Sequence, residues 1–137
     1  SYTSCNLSDS VRETLEEMRK KGYTHMPVLD QNKHVFGILS DDAIVNYLLK
    51  REIATLEKET INDLIEFIKI ADSSYNRSED FPFVSRKASL LNVKKIISSS
   101  ISSQRRISLF LITENGRKDE KLISIFTVWD FFKNGIH

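Results

Sequence analysis

One pattern, present twice, constrains this chain more than any other: two short apolar runs parted by a polar turn and followed at once by a capped helix. In the first copy, residues 26–29 and 35–39 are apolar and flank the polar cluster 30–34, as two buried strands joined by a turn would. Ser40 then has the place of an N-cap. Asp41 and Asp42 fall in the first helical turn, where the dipole favours anions, and Ala43, Ile44, Tyr47 and Leu48 have helical spacing. In the second copy, residues 107–113 and 122–126 are the apolar runs, 114–121 the polar turn with Gly116, and Thr127 the cap. A helix precedes each pair of runs. Ser10 and Glu13 have capping-box spacing, Val11, Leu15 and Met18 share one face, and Gly22 closes the first helix. Ser89 opens its counterpart, with Leu90, Val93, Ile96 and Ile97 as the apolar face. Leu15 aligns with Val93, Pro27 with Leu111 and Ser40 with Thr127, at offsets of 78, 84 and 87. The second copy therefore has six extra residues after its first helix and three in its hairpin, and the chain reads as an internal duplication.

Gly22, Pro27, Val28, Asp30, Gly37, Ile38 and Ser40 in the first copy resemble the signature of the cystathionine β-synthase (CBS) domain family, and the second copy keeps Glu114, Gly116, Ile125, Thr127 and Asp130. The resemblance covers residues 2–50 and 81–134. It implies an α/β (α+β) fold of two tandem β-α-β-β-α repeats packed through their sheets into one globule, the arrangement called a Bateman module. The expected division is residues 1–58 for repeat 1, 59–80 for an inter-repeat helix and linker, and 81–137 for repeat 2. The second copy departs from the family pattern with Leu111 at the Pro position and Ser124 at the usual Gly.

With 137 residues, 40% of them apolar and 28% charged, the composition is that of one soluble globular core. A formal net charge of +1 provides no field to attract nucleic acid or anionic lipid, so neither is expected as a partner. Cys5 is the sole cysteine, which excludes an intrachain disulfide; a small strand residue in a reducing, cytoplasmic setting is the expected role. No apolar run approaches the ~20 residues of a membrane span, and no signal peptide is visible. A start at Ser1 without Met is expected of a piece of a longer protein with other domains.

Along the chain, residues 2–7 are expected as the first strand, 11–21 as a helix, and 81–85 as the first strand of the second copy. A helical pattern starts at Thr60 and runs through Leu64 and Ile65. Residues 72–80, rich in Ser, Asp and charge, read as a surface linker, and the last helix spans 128–133 with Gly135 near its end. Strands with both faces apolar, around Val28 and Ile38, belong to a sheet covered on both sides.

No catalytic constellation emerges, whether a Gly-rich phosphate loop, His-Glu-x-x-His, paired cysteines or Gly-x-Ser-x-Gly, and no enzyme activity or required cofactor is expected. His25, His34 and His137 lack metal-ligand spacing, and Asp41 and Asp42, adjacent on a helix, point roughly 100° apart and form no acid–base pair. Arg105-Arg106-Ile107-Ser108 looks like a basophilic kinase site, yet Ser108 opens an expected buried strand, which makes chance the better explanation. The sequons at Asn6 and Asn76 are equally uninformative.

The informative group is Thr127-Val128-Trp129-Asp130. A hydroxyl at a helix N-terminus lies beside unpaired N–H groups that favour anions, and a carboxylate three residues on shares its face. By resemblance to CBS modules that bind adenosine compounds, Thr127 would take phosphate and Asp130 the ribose diol. Tyr23, Thr24 and His25, with Thr3 and Ser4 (and Tyr2 beside them), would then form the base pocket of the other copy. The bland alternative is an N-cap and a solvated Asp. A second, weaker or empty site would comprise Ser40, Val84, Arg86, Ile107 and Ser108, with Ala43 standing where a ribose-binding Asp would be, Lys87 near a phosphate, and Ala43→Asp as a means of creating a site. The expected function is a regulatory module sensing an adenosine nucleotide of the AMP, ADP, ATP or S-adenosylmethionine type; the alternative is a ligand-free dimerisation or assembly module. A homodimer is expected from the apolar helix positions Ile44, Tyr47, Leu48, Ile97, Phe131 and Phe132.

Overall fold

The structure, a computed structural model, describes residues 2–70 and 79–134, the last three by backbone alone. The Asn76 sequon, the linker up to residue 78, Gly135, His137 and the side chain of Phe132 lie outside the described residues. Residues 3–70 fall in one compact unit, and Tyr2 with residues 79–134 in another.

In the first unit, Ser10 caps helix α1 (Val11–Lys21) by accepting the Glu13 N–H at 3.2 Å, and Gly22 ends it in the left-handed region at φ 71°, where a side chain would be strained. Val11, Thr14 and Met18 face inward. Strand β1 (Cys5–Asn6) is shorter than the expected 2–7, and it pairs in parallel with β2 (His25–Leu29) across the α1 crossover, Cys5 opposite Val28. Strand β3 (Val35–Ser40) returns antiparallel, with Pro27 opposite Ile38 and Val28 opposite Gly37. Helix α2 (Asp41–Arg51) starts at Ser40 as the pattern required. The expected helix near residue 60 becomes a 3-10 turn (Ile61–Leu64) followed by the short α3 (Ile65–Ile68). The Thr60 N–H donates to the Asp63 carboxylate at 2.9 Å, and the segment is tied to the start of the unit by Ile61 N–H to Asp9 O at 2.9 Å and Asn62 N–H to Leu7 O at 2.9 Å. Met26, Val28, Leu39, Tyr47, Ile61 and Phe67 are among the side chains that build the core.

In the second unit, β5 (Phe83–Ser85) pairs in parallel with β7 (Phe110–Thr113), Val84 opposite Ile112, and β8 (Ser124–Phe126) returns antiparallel, Leu111 opposite Ile125 and Ile112 opposite Ser124. These are the first unit's pairs transposed: Val84 takes the place of Cys5, Leu111 of Pro27 and Ser124 of Gly37. Helix α4 (Leu90–Ser102) is capped by Ser89, and α5 (Val128–Asn134) follows Thr127. Phe110, Ile112, Val84 and Val93 make a small core to which Phe131 adds an edge-to-face contact with Phe110, ring centroids 5.0 Å apart.

Three expectations need correcting. Tyr2 is not in the first strand but in the second unit, its hydroxyl donating to the Leu122 carbonyl at 3.0 Å. Glu79 and Asp80, expected in a surface linker, form strand β4 (Glu79–Asp80), which pairs in parallel with β6 (Arg106–Ile107), so the expected single run 107–113 is two strands. Glu79 is only 3% exposed, and charge partners outweigh its polarity: Ser108 Oγ donates to its carboxylate, Arg106 lies 3.6 Å from it, and Arg105 binds Asp80 at 2.5 Å. The residues expected to make a dimer surface are instead used inside: Ile44 and Tyr47 are buried in the first core, with Leu48 packed against it, and Ile97 and Phe131 pack on the second.

Candidate functional site

Thr127 and Asp130 form a reciprocal cap at the start of α5. The Asp130 Oδ2 accepts the Thr127 backbone N–H at 2.8 Å and its hydroxyl at 3.1 Å, while the Asp130 N–H points to Thr127 Oγ1 at 3.3 Å. One carboxylate oxygen is thereby spent on the helix start, and Oδ1 carries no hydrogen bond among the described residues. The arrangement can do two things chemically: close the helix, and offer one anionic acceptor on a fixed side chain.

Ser40 caps α2 by accepting the Ala43 N–H at 3.4 Å. Ala43 is 4% exposed and belongs to the first core, unlike the half-buried Asp130. That burial overturns the idea that Ala43→Asp would create a site. A carboxylate placed there would be buried without a partner, so the variant should lose several kcal/mol of stability.

The remaining expected residues lie as follows. Tyr23 and Thr24 are exposed just after α1, Thr24 Oγ1 is 2.9 Å from His25 Nδ1, Thr3 accepts from Lys21 Nζ at 3.3 Å, and Ser4 is exposed. They belong to the first unit and Thr127 and Asp130 to the second. Val84 is a core residue and Ile107 packs against that core. Arg86 is held by Glu114 at 2.8 Å, and Ser108 by Glu79. Arg105 and Arg106 are likewise engaged with the β4 strand, which gives Arg105-Arg106-Ile107-Ser108 a structural role.

Two features went unread in the sequence. Glu120 knits the β7–β8 hairpin, accepting from Thr113 Oγ1 at 3.0 Å, Asn115 N–H at 2.9 Å, Asn115 Nδ2 at 2.7 Å and Arg117 N–H at 3.0 Å. Desolvation pulls its pKa up, but these hydrogen bonds to the charged form prevail and lower it to about 2. Beside this hairpin, residues of β5, α4 and the turn at Gly116 enclose an open groove of about 360 Å³. A glutamate in a charged turn has no periodicity to reveal it, and a groove has no sequence signal at all.

The fold and register of both halves define a class. Residues 1–50 match the family model described as CBS domain, so the first repeat is a CBS domain. That match covers the first repeat, and the second unit repeats its element order and register, as in a tandem pair. Among solved structures, the fold is similar to a CBS-domain containing protein from Agrobacterium tumefaciens, at 15% identity and TM-score 0.64, over 99% of this chain and 90% of that one. It is similar to CBSX2 in complex with AMP, at 21% identity and TM-score 0.62, over 96% of this chain and 85% of the other. A third likeness is to Hypoxic Response Protein I with two coordinated zinc ions, at 14% identity and TM-score 0.63, over 96% and 89% of the two chains. At these identities the likeness is one of fold. Among curated proteins there is no match. Among the described residues no group of three His, Cys, Asp or Glu is placed to hold a metal ion, and no helix is long and apolar enough to cross a membrane.

Proposed function

We propose that this chain is a regulatory module that binds an adenosine-containing nucleotide between its two repeats. The observation that carries the reading is the Thr127–Asp130 pair, in which Asp130 Oδ1 carries no hydrogen bond among the described residues. In this reading Asp130 accepts the ribose hydroxyls in charge-assisted bonds, the phosphates lie toward Thr127, and Tyr23, Thr24 and His25, with Thr3 and Ser4, receive the base. The AMP carried by the structurally similar CBSX2 supports the choice of ligand class. The site built on Ser40, Val84, Arg86, Ile107 and Ser108 is weaker or empty, because Ala43 offers no carboxylate and Arg86 is already paired. Binding is answered by a change in packing between repeats or between chains, with no catalytic step. The module works in the cytoplasm as a homodimer.

A thermal-shift panel of AMP, ADP, ATP and S-adenosylmethionine tests this. A ligand present at 100 times its Kd stabilises the fold by roughly 2.7 kcal/mol. One nucleotide per chain is expected, and Asp130→Asn, which keeps a capping side chain but removes its charge, should weaken binding about tenfold. Two equivalent sites, or unchanged affinity in Asp130→Asn, would overturn the assignment. The rival reading, a ligand-free assembly module, is favoured by the same cap, since Thr127 and Asp130 already satisfy each other, and by the 74% exposure of Trp129 next to them. No shift with any of the four nucleotides would select it.

A further inference from the structure

We propose that the groove of the second repeat is a separate binding site for a small organic carboxylate with a flat apolar body. Phe83 and Ile96 are among its apolar lining residues, and its volume of about 360 Å³ lies at the small end of ligand pockets. Its wall is held rigid. Gly116 has φ 78°, and a Cβ there would come within 2.9 Å of the Ser85 backbone nitrogen, so only glycine lets the hairpin close this edge. The Ser85 hydroxyl anchors the same edge by donating to the Glu114 carbonyl at 2.9 Å.

The charge at the rim selects the ligand. Glu114 is paired with Arg86 and Glu120 is surrounded by hydrogen-bond donors, so neither carboxylate is left to attract a cation. Lys87 and the Asn92 carboxamide also line the groove, and neither side chain has a partner among the described residues. An ammonium and an amide in one groove with Phe83 and Ile96 fit a carboxylate whose ring packs against those two side chains. The reading does not rest on Thr127 or Asp130 and stands or falls without the nucleotide.

Benzoate, titrated into the isotope-labelled full chain at millimolar concentration and followed by amide chemical shifts, is the direct probe. Saturable shifts are expected at Ser85, Lys87, Asn92 and Gly116, with the neutral isostere benzamide binding more weakly. Lys87→Met should weaken benzoate about two- to fivefold, as befits an exposed charge contact, and Asn92→Asp should weaken it further through like-charge repulsion. Asp130→Asn should leave it unchanged. Absence of saturable shifts, equal binding of benzamide, or indifference to Lys87→Met and Asn92→Asp would overturn the proposal.

Discussion

Single residues here do work that their type alone does not announce. Glu120 has an ordinary pKa of 4.5 and a folded value of about 2, so it stabilises the native hairpin fully above 4.5, and that contribution is lost as the pH falls through 2. A carboxyl titration followed by NMR should find its midpoint near 2, and Glu120→Gln should flatten the loss of stability between pH 4.5 and 2. A midpoint at the ordinary value would mean that the hairpin network does not form. Cys5 is the opposite case. Desolvation, and then the nearby Asp9 and Glu17, push its thiol up to about 12, which suppresses the nucleophilic thiolate at neutral pH. Maleimide should label Cys5 slowly in the folded chain and rapidly once denatured, and equal rates would contradict its burial.

At the scale of elements, the two repeats differ where a neighbour presses on the sheet. Gly37 is required because α3 ends against β3. A Cβ there would collide with the Ile68 carbonyl oxygen and sit 2.8 Å from its carbon, and Gly37 forms a backbone bridge to Lys69. Gly37→Ala should therefore cost about 1–3 kcal/mol, whereas a packing-neutral site would tolerate the change. Chemical denaturation measures it, and a loss near zero would show that α3 yields. Ser124 fills the same register position opposite Ile112, so the departure from glycine in the second repeat leaves its strand pairing intact.

For the whole molecule, the apolar surface decides the assembly question. The sequence offered Ile44, Tyr47, Ile97 and Phe131 for a dimer face, but these serve the two cores. The large apolar residues left in water include Leu49 at 71% exposed and Trp129 at 74%, with Val45, Leu91 and Ile101. The proposed homodimer should use some of these, since two-fold pairing is the commonest way to cover such surface. Sedimentation at micromolar concentration should give twice 15.9 kDa, and Leu49→Lys or Trp129→Lys should shift it toward monomer. A 15.9 kDa species alone in the unmodified chain would sink the dimer.

The duplication, the boundaries of α1, the start of α2, and the equivalence of Ser40 with Thr127 were legible in the sequence because each rests on local rules: helical spacing, caps and turn chemistry act within a few residues. The shared helix face of Thr127 and Asp130 was legible for the same reason, from their spacing of three residues, but the hydrogen bonds by which they cap each other were not. Tertiary structure alone decided that Glu79–Asp80 is a strand clasped by Arg105 and Arg106, that Ala43 is buried where Asp130 is not, and that a groove lies beside Gly116. Each of these depends on what a distant segment places against a residue: burial and ion pairing are properties of the neighbourhood, and local periodicity carries no record of it.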